Sequence, residues 1–305
     1  MIEITTDFRN RVIESLVAAR QNYDGSDAAF AKKHGLNASI YSRIKNGDTD
    51  RVLRPEQWLN LGRLLDVSPS ERRWNMARTE VFTIIEEEVR FCQEFHKSRI
   101  FVDDCAIGKT YSAKYLSRTL KNCFYIDASQ CKTKILFARA LAKCIGADSA
   151  GTYAEVKQNI KYYLNAMPNP IVIIDEAGDI DYAAFVDLKE YWNATDGACG
   201  WYLMGADGLQ AKIKAGIKRR TSSYREVFSR FSDKFSYAVP KGKTDRIAFY
   251  RKLITDVLSV NMDDKSKLPV IVNKCLQTDN QEGEATGLRR AESLLIRVSS
   301  SLYQF

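Results

Sequence analysis

Histidine is nearly missing from this 305-residue chain, which holds two, and its seven cysteines, at 92, 105, 123, 131, 144, 199 and 275, include no Cys-x-x-Cys pair. That scarcity and scatter argue against a zinc site or a disulfide framework and for a reducing compartment. Prolines number six, and neither an internal repeat nor a low-complexity tract interrupts the chain. No apolar run approaches the length of a membrane span, and Met1-Ile2-Glu3-Ile4-Thr5-Thr6-Asp7 does not have the composition of a secretory signal. A cytoplasmic protein with no membrane partner is expected.

What is present suits a soluble chain with one full α/β core and one or two small satellites: 45% of residues are hydrophobic and 28% charged. The formal charge of +8 suggests an acidic partner, nucleic acid first, although charge alone serves solubility equally well.

Two motifs carry chemistry. Arg99-Ile100-Phe101-Val102 is a short apolar run that leads into Ala106-Ile107-Gly108-Lys109-Thr110 and then a helical pattern from Tyr111 to Leu120. Strand, loop and helix in that order make a phosphate-binding loop, in which backbone N–H groups and a lysine hold phosphates and a hydroxyl holds Mg²⁺. Ile171-Val172-Ile173-Ile174-Asp175-Glu176 reads as a buried strand ending in two carboxylates, one for the metal and one to polarise an attacking water. Together they predict an ATP and Mg²⁺ site, with Ala106, Ile107, Gly108, Lys109, Thr110 and Tyr111 at the nucleotide, Thr110 and Asp175 at the metal, and Glu176 as base. One position departs from the usual G-x-x-x-x-G-K-[ST] spacing: Asp103 stands where the first glycine belongs, with Asp104 beside it. Asp tolerates positive φ less cheaply than Gly, so weakened binding or a loop that no longer hydrolyses are the two expectations.

Residues 1–69 read as short amphipathic helices, residues 70–98 as a helical connector that packs on the next domain through Ile84, Ile85, Val89 and Phe91, residues 99–240 as the α/β core and residues 241–305 as a helical subdomain with helices around 247–258, 268–275 and 288–302, broken by a polar loop, 277–286. Strands are expected at 100–102, 123–127, 171–175, 201–204 and 235–239, alternating with helices, which implies a parallel sheet covered on both faces. Near the N-terminus, Ser26 caps one helix, Gly35 makes a turn and Asn46-Gly47 stops the next helix, the spacing of a helix-turn-helix. Leu36, Ile40 and Ile44 are the expected buried stripe. Ser39, Tyr41, Ser42, Arg43 and Lys45 are then candidates for DNA contact, with protein docking the alternative. Lys212, Lys214, Lys218, Arg219 and Arg220 read as a mobile basic loop suited to a phosphodiester backbone. Ser229-Arg230-Phe231 can present a guanidinium to a neighbouring subunit's γ-phosphate. Gly287-Leu288-Arg289-Arg290 opens the last helix, and spacing alone does not decide which arginine reaches the nucleotide.

The order of these pieces resembles the MuB family of transposition proteins, AAA+ ATPases related more distantly to the TnsC and IstB helpers. The resemblance rests on Gly108-Lys109-Thr110, Val172 to Ala177, Leu203-Met204-Gly205, Phe228-Ser229-Arg230 and Leu288-Arg289. It implies an AAA+ P-loop sheet with an N-terminal helix-turn-helix domain and a C-terminal helical lid. It also implies Glu176 as catalytic base, Asp175 as metal support, Arg230 as arginine finger and Arg289 as lid sensor. Its further implication is an oligomer on double-stranded DNA that recruits a transposase. Ala206 departs from the polar sensor residue, usually Asn, that follows Leu-Met-Gly in that family; Asp207 is a possible substitute.

Overall fold

The five apolar runs form one sheet. In the computed structural model β1 (Ser98–Val102), β2 (Cys123–Asp127), β3 (Ile171–Asp175), β4 (Gly200–Gly205) and β5 (Phe235–Ser236) lie in the order β2-β3-β4-β1-β5. The structure describes residues 4–21, 23, 25–65, 67–69, 74–232, 234–277 and 287–299. β1 runs parallel to β4, with Ser98 opposite Trp201 and Val102 opposite Gly205; β3 is parallel to β4 on its other side, with Ile171 opposite Gly200. Parallel neighbours cannot be joined by tight turns, so helices fill the crossovers. These are α6 (Lys109–Thr119), α7 (Lys134–Ile145), α8 (Tyr153–Ala166), α9 (Tyr182–Ala194), α10 (Asp207–Lys218) and α11 (Tyr224–Phe231). Because helices cover both faces, β3 and β4 are buried along their whole length, which is why they read as unbroken apolar runs. Phe137, Phe185, Tyr191, Trp201 and Phe231 are the largest fully buried side chains of that core, each contributing on the order of 1.5–3 kcal/mol by leaving water.

The last strand is shorter than the expected 235–239. Pairing with β1 covers only Phe235 and Ser236. The N–H groups of Ala238 and Val239 instead donate to the Asp103 carboxylate, so the chain leaves the ladder there.

Residues separate into two compact units, one of 1–73 with 117–123 and the other of 74–116 with 124–305. The first holds α1 (Thr6–Gln21), α2 (Asp27–Lys33), α3 (Ala38–Lys45) and α4 (Pro55–Leu64) around Phe8, Val12, Leu16, Phe30, Ile44, Trp58 and Leu61. Ser26 caps α2 by accepting from the Ala29 N–H, and Asn37 caps α3 by accepting from Ile40. Gly35, at φ +69°, makes the turn between them. The buried stripe of α3 is offset from the expected one: Tyr41 and Ile44 are buried and Ile40 only partly. Tyr41 packs its ring 5.4 Å from Phe30, so it belongs to the core and not to the exposed face on which it was expected. A phenol ring carries enough apolar surface to take a core position despite its hydroxyl. Ser39, Ser42, Arg43 and Lys45 are exposed, with Arg43 paired to Asp48 and Lys45 to Asp27.

In the second unit α5 (Glu80–Phe95) turns Val81, Phe82, Ile85, Val89 and Cys92 inward. Phe91, expected to pack inward, is exposed beside Phe95 and under the Arg99 guanidinium. The C-terminal helices α12 (Lys243–Asn261), α13 (Leu268–Leu276) and α14 (Gly287–Ser299) share a core of Ile254, Leu258, Ile271, Val272, Ala291 and Leu295. The expected extension of the last helix to residue 302 lies outside the described residues, as does most of the polar loop.

The basic run is also placed differently from expectation. Lys212, Lys214 and Lys218 are on helix α10 and not in a loop. Lys212 turns inward and donates to the carbonyls of Gly178 and Ile180, and burial lowers its pKa. Its ammonium is therefore engaged inside the fold, although the side chain stays partly exposed. Lys214, Lys218, Arg219 and Arg220 are exposed. The turn beyond them holds two non-glycine residues at positive φ, Arg220 at 55° and Ser223 at 70°, and is fixed by Tyr182, whose hydroxyl donates to the Ser222 carbonyl.

Candidate active site

The loop between β1 and α6 places its groups where open α/β sheets hold ligands, outside the carboxyl ends of the strands. Ala106 and Gly108 both have positive φ, 58° and 98°. Alternation of this kind turns successive N–H groups toward one point and makes an anion nest, which the α6 N-terminus reinforces. Lys109 is almost fully buried and donates to the carbonyls of Asp103 (2.9 Å) and Asp104 (2.5 Å), so its ammonium is held over the loop it closes. Asp103 itself has no positive φ among the residues that do. The position therefore makes no demand for glycine, and the expected backbone penalty does not arise.

Both loop acids also have partners. Asp103 Oδ1 accepts the Asp104 N–H, and Oδ2 accepts Ala238 and Val239. Asp104 Oδ2 is bound by the Tyr250 hydroxyl at 2.6 Å and paired with Arg246 at 2.7 Å. Neither carboxylate confronts an incoming polyphosphate unpartnered.

β3 brings the acidic pair to the same place. Thr110 Oγ1 donates to Asp175 Oδ2 at 2.6 Å, and Tyr125 donates to the same oxygen at 3.2 Å. Asp175 Oδ1 accepts the Glu176 N–H. Glu176 sits in the left-handed region, φ 49°, which turns its side chain out of the strand direction and into the cavity. Burial, then the neighbouring Asp175 charge, raises its pKa above the usual glutamate value. A hydroxyl and one carboxylate in contact fit Mg²⁺, which takes few protein ligands and completes its octahedron with waters and phosphate oxygens. No cluster of three or more His, Cys, Asp or Glu competes for a metal among the described residues.

A cavity of about 410 Å³ gathers these parts: the loop from Cys105 to Thr110, Glu176, Ala206 and Arg289 all line it. Of the two arginines opening α14, Arg289 lines it and Arg290 does not. Gly287 makes the approach possible: its φ is +61°, and a Cβ there would meet the Ala106 carbonyl oxygen at 2.6 Å. The Leu288 N–H donates to that same carbonyl. Gly287→Ala is accordingly expected to push α14 off the loop and weaken nucleotide affinity severalfold, measurable by titration with a fluorescent ATP analogue. Tyr111 lines the cavity and donates to the Trp74 carbonyl.

Trp74, Asn75, Met76 and Ala77 form one wall, and no sequence signal marked them. They have neither helical nor strand period; what places them is bonding to distant helices. Asn75 N donates to Asn261 Oδ1, Asn75 Nδ2 to the Val260 carbonyl, and Trp74 Nε1 to Glu292. Asp207 is not the expected substitute for Ala206. It lines a separate cavity with Asp103, Lys214, Lys234 and Lys241. Arg230 is outside the nucleotide cavity as well: its Nε donates to Asn193 Oδ1 and its guanidinium lies over Trp192.

No helix among the described residues is long and apolar enough to cross a membrane. No curated protein matches the chain. Residues 105–213, from the phosphate loop to the middle of α10, match the family model described as AAA domain, which supports a nucleotide-binding ATPase of the AAA+ class.

Proposed function

We propose that the protein is an ATP-dependent DNA-binding ATPase that assembles on double-stranded DNA and recruits or stimulates a transposase. The observation that carries the ATPase part is the 2.6 Å bond from Thr110 to the buried Asp175, beside a cavity that Lys109, Thr110 and Glu176 line. Lys109 and the loop N–H groups bind the phosphates, Thr110 and Asp175 hold Mg²⁺, and Glu176 takes the proton of the attacking water. When bound, Mg²⁺ neutralises charge on the phosphate oxygens. Arg289 closes on the nucleotide from α14. Ala206 offers no polar head to the cavity, which favours slow turnover and a switch that holds and then releases its partner.

DNA contact is supported by two exposed groups of side chains: Ser39, Ser42, Arg43 and Lys45 on α3, and Lys214, Lys218, Arg219 and Arg220 at the end of α10. Exposed lysines and arginines of this kind give sequence-tolerant affinity with steep salt dependence. Replacing Lys218, Arg219 and Arg220 together by alanine is expected to weaken duplex binding at least tenfold at low salt. The slope of log K against log salt should flatten by about two to three; an unchanged slope assigns that turn to solvent.

Assembly is supported by the position of Arg230. A finger that serves a neighbouring copy must lie outside its own cavity, as Arg230 does. Mixing tests this reading. Arg230→Ala and Glu176→Gln should each be inactive alone, whereas an equimolar mixture regains roughly a quarter of the interfaces, because one copy supplies the arginine and the other the base. A mixture as inert as its parts would show that Arg230 does not serve a neighbouring copy. Transposase recruitment rests on the motif order of the MuB family. Footprinting addresses it: length-dependent coating of any duplex agrees with that role, whereas protection of one discrete site favours a nucleotide-sensing regulator.

A further inference from the structure

The carboxylates of Asp103 and Asp104 leave the phosphate loop and bind what comes after the sheet. Asp103, buried, accepts two N–H groups from Ala238 and Val239, in the segment between β5 and α12. Asp104 accepts from Tyr250 and pairs with Arg246, both on α12. The carbonyls of the same two residues accept the Lys109 ammonium. One dipeptide therefore faces the phosphate-binding lysine with its backbone and α12 with its side chains. Glycine at position 103 would bind neither N–H group of the segment leading into α12.

We propose that Asp103 and Asp104 are positioning residues that couple the phosphate loop to α12, so that the lysine's exchange of carbonyls for phosphate is transmitted to the C-terminal helices. This rests on the reading of the cavity as an ATP site. A polyphosphate draws Lys109 from the two carbonyls, which frees the 103–104 backbone to shift. The carboxylates carry that shift to Val239, Arg246 and Tyr250. Burial and the adjacent Asp104 charge raise the Tyr250 pKa, so its hydroxyl stays a donor through the working pH range. The groups facing Asp104 from α12 are Arg246 and Tyr250; Asp103 stands on its other side in the chain with its oxygens already bonded to N–H groups.

Hydrogen exchange across residues 237–261, with and without ATP, reads the coupling directly, and equilibrium titration with a fluorescent ATP analogue reads binding. In the native chain ATP should change protection of α12 at least severalfold. Arg246→Ala, a substitution at the surface, should erase that change and lower turnover about tenfold while affinity moves less than about threefold; Arg246→Lys should restore most of it by returning a cation to Asp104. Asp103→Gly, which restores the usual loop glycine, should also uncouple α12. The Arg246 pair carries the test if that variant melts early. Exchange of α12 that responds to ATP as strongly in Arg246→Ala and Asp103→Gly as in the native chain overturns the coupling. Absence of ATP uptake by the native chain instead removes the nucleotide reading on which it stands.

Discussion

Alanine at position 109 is expected to weaken ATP binding by about two to four powers of ten and to abolish turnover. The lysine is the only cation that the loop itself brings to the phosphates, and it is almost fully buried, so its bonds to an anion are little screened. A hydrogen bond to a charged group is worth about 1.5–3 kcal/mol net. Loss of two such bonds removes about 3–6 kcal/mol, hence a complex roughly 10²- to 10⁴-fold weaker. Calorimetric titration with ATP and Mg²⁺ measures it. Far-ultraviolet dichroism and a thermal melt control for folding, because alanine also vacates the Asp103 and Asp104 carbonyls. Binding within tenfold of the native value would show that the anion nest holds the nucleotide without the lysine.

How much of this site could be read from the chain depends on the distance over which each part is determined. Gly108-Lys109-Thr110 and the run Ile171–Asp175 are local: their spacing, their apolar flanks and their elements lie within about fifteen residues, and the sheet forms from those runs. The meaning of Asp103 is not local. Read along the sequence it is a missing glycine beside a polyanion. In the folded chain its partners are 135 and 136 residues away, and its own backbone needs no positive φ. The wall at Trp74–Ala77 is hidden for the same reason, since its order comes from Asn261, Val260 and Glu292. Amphipathic residues misled in a different way. Tyr41 and Lys212 each have a polar end and a long apolar body; helical spacing counted the polar end of the first, and the run of charge counted that of the second. The structure counts the body: Tyr41 packs on Phe30, and Lys212 lays its stem inward until its ammonium meets two carbonyls.

Glutamine at position 176 is expected to lower kcat by about 10²- to 10⁴-fold with ATP affinity changed little, the signature of a group needed in the reaction more than in binding. Glutamine has nearly the shape of glutamate, and the Asp175–Thr110 bond at the proposed metal position does not involve the Glu176 side chain. The pH profile gives the sharper test. Burial and the Asp175 charge raise the Glu176 pKa above its ordinary value, so its base form is lost at a higher pH than for a solvated glutamate. A general base works deprotonated; turnover in the native chain should therefore rise with pH through that elevated pKa and level off above it. In Glu176→Gln nothing titrates at that position, and the remaining slow turnover should lose the acid limb. If native turnover were flat from pH 5 to 8 and the variant equally fast, water would be activated by another group or by the phosphate itself. Glu176 would then serve the cavity only as a charge that repels hydroxide and orients Asp175 through its backbone N–H.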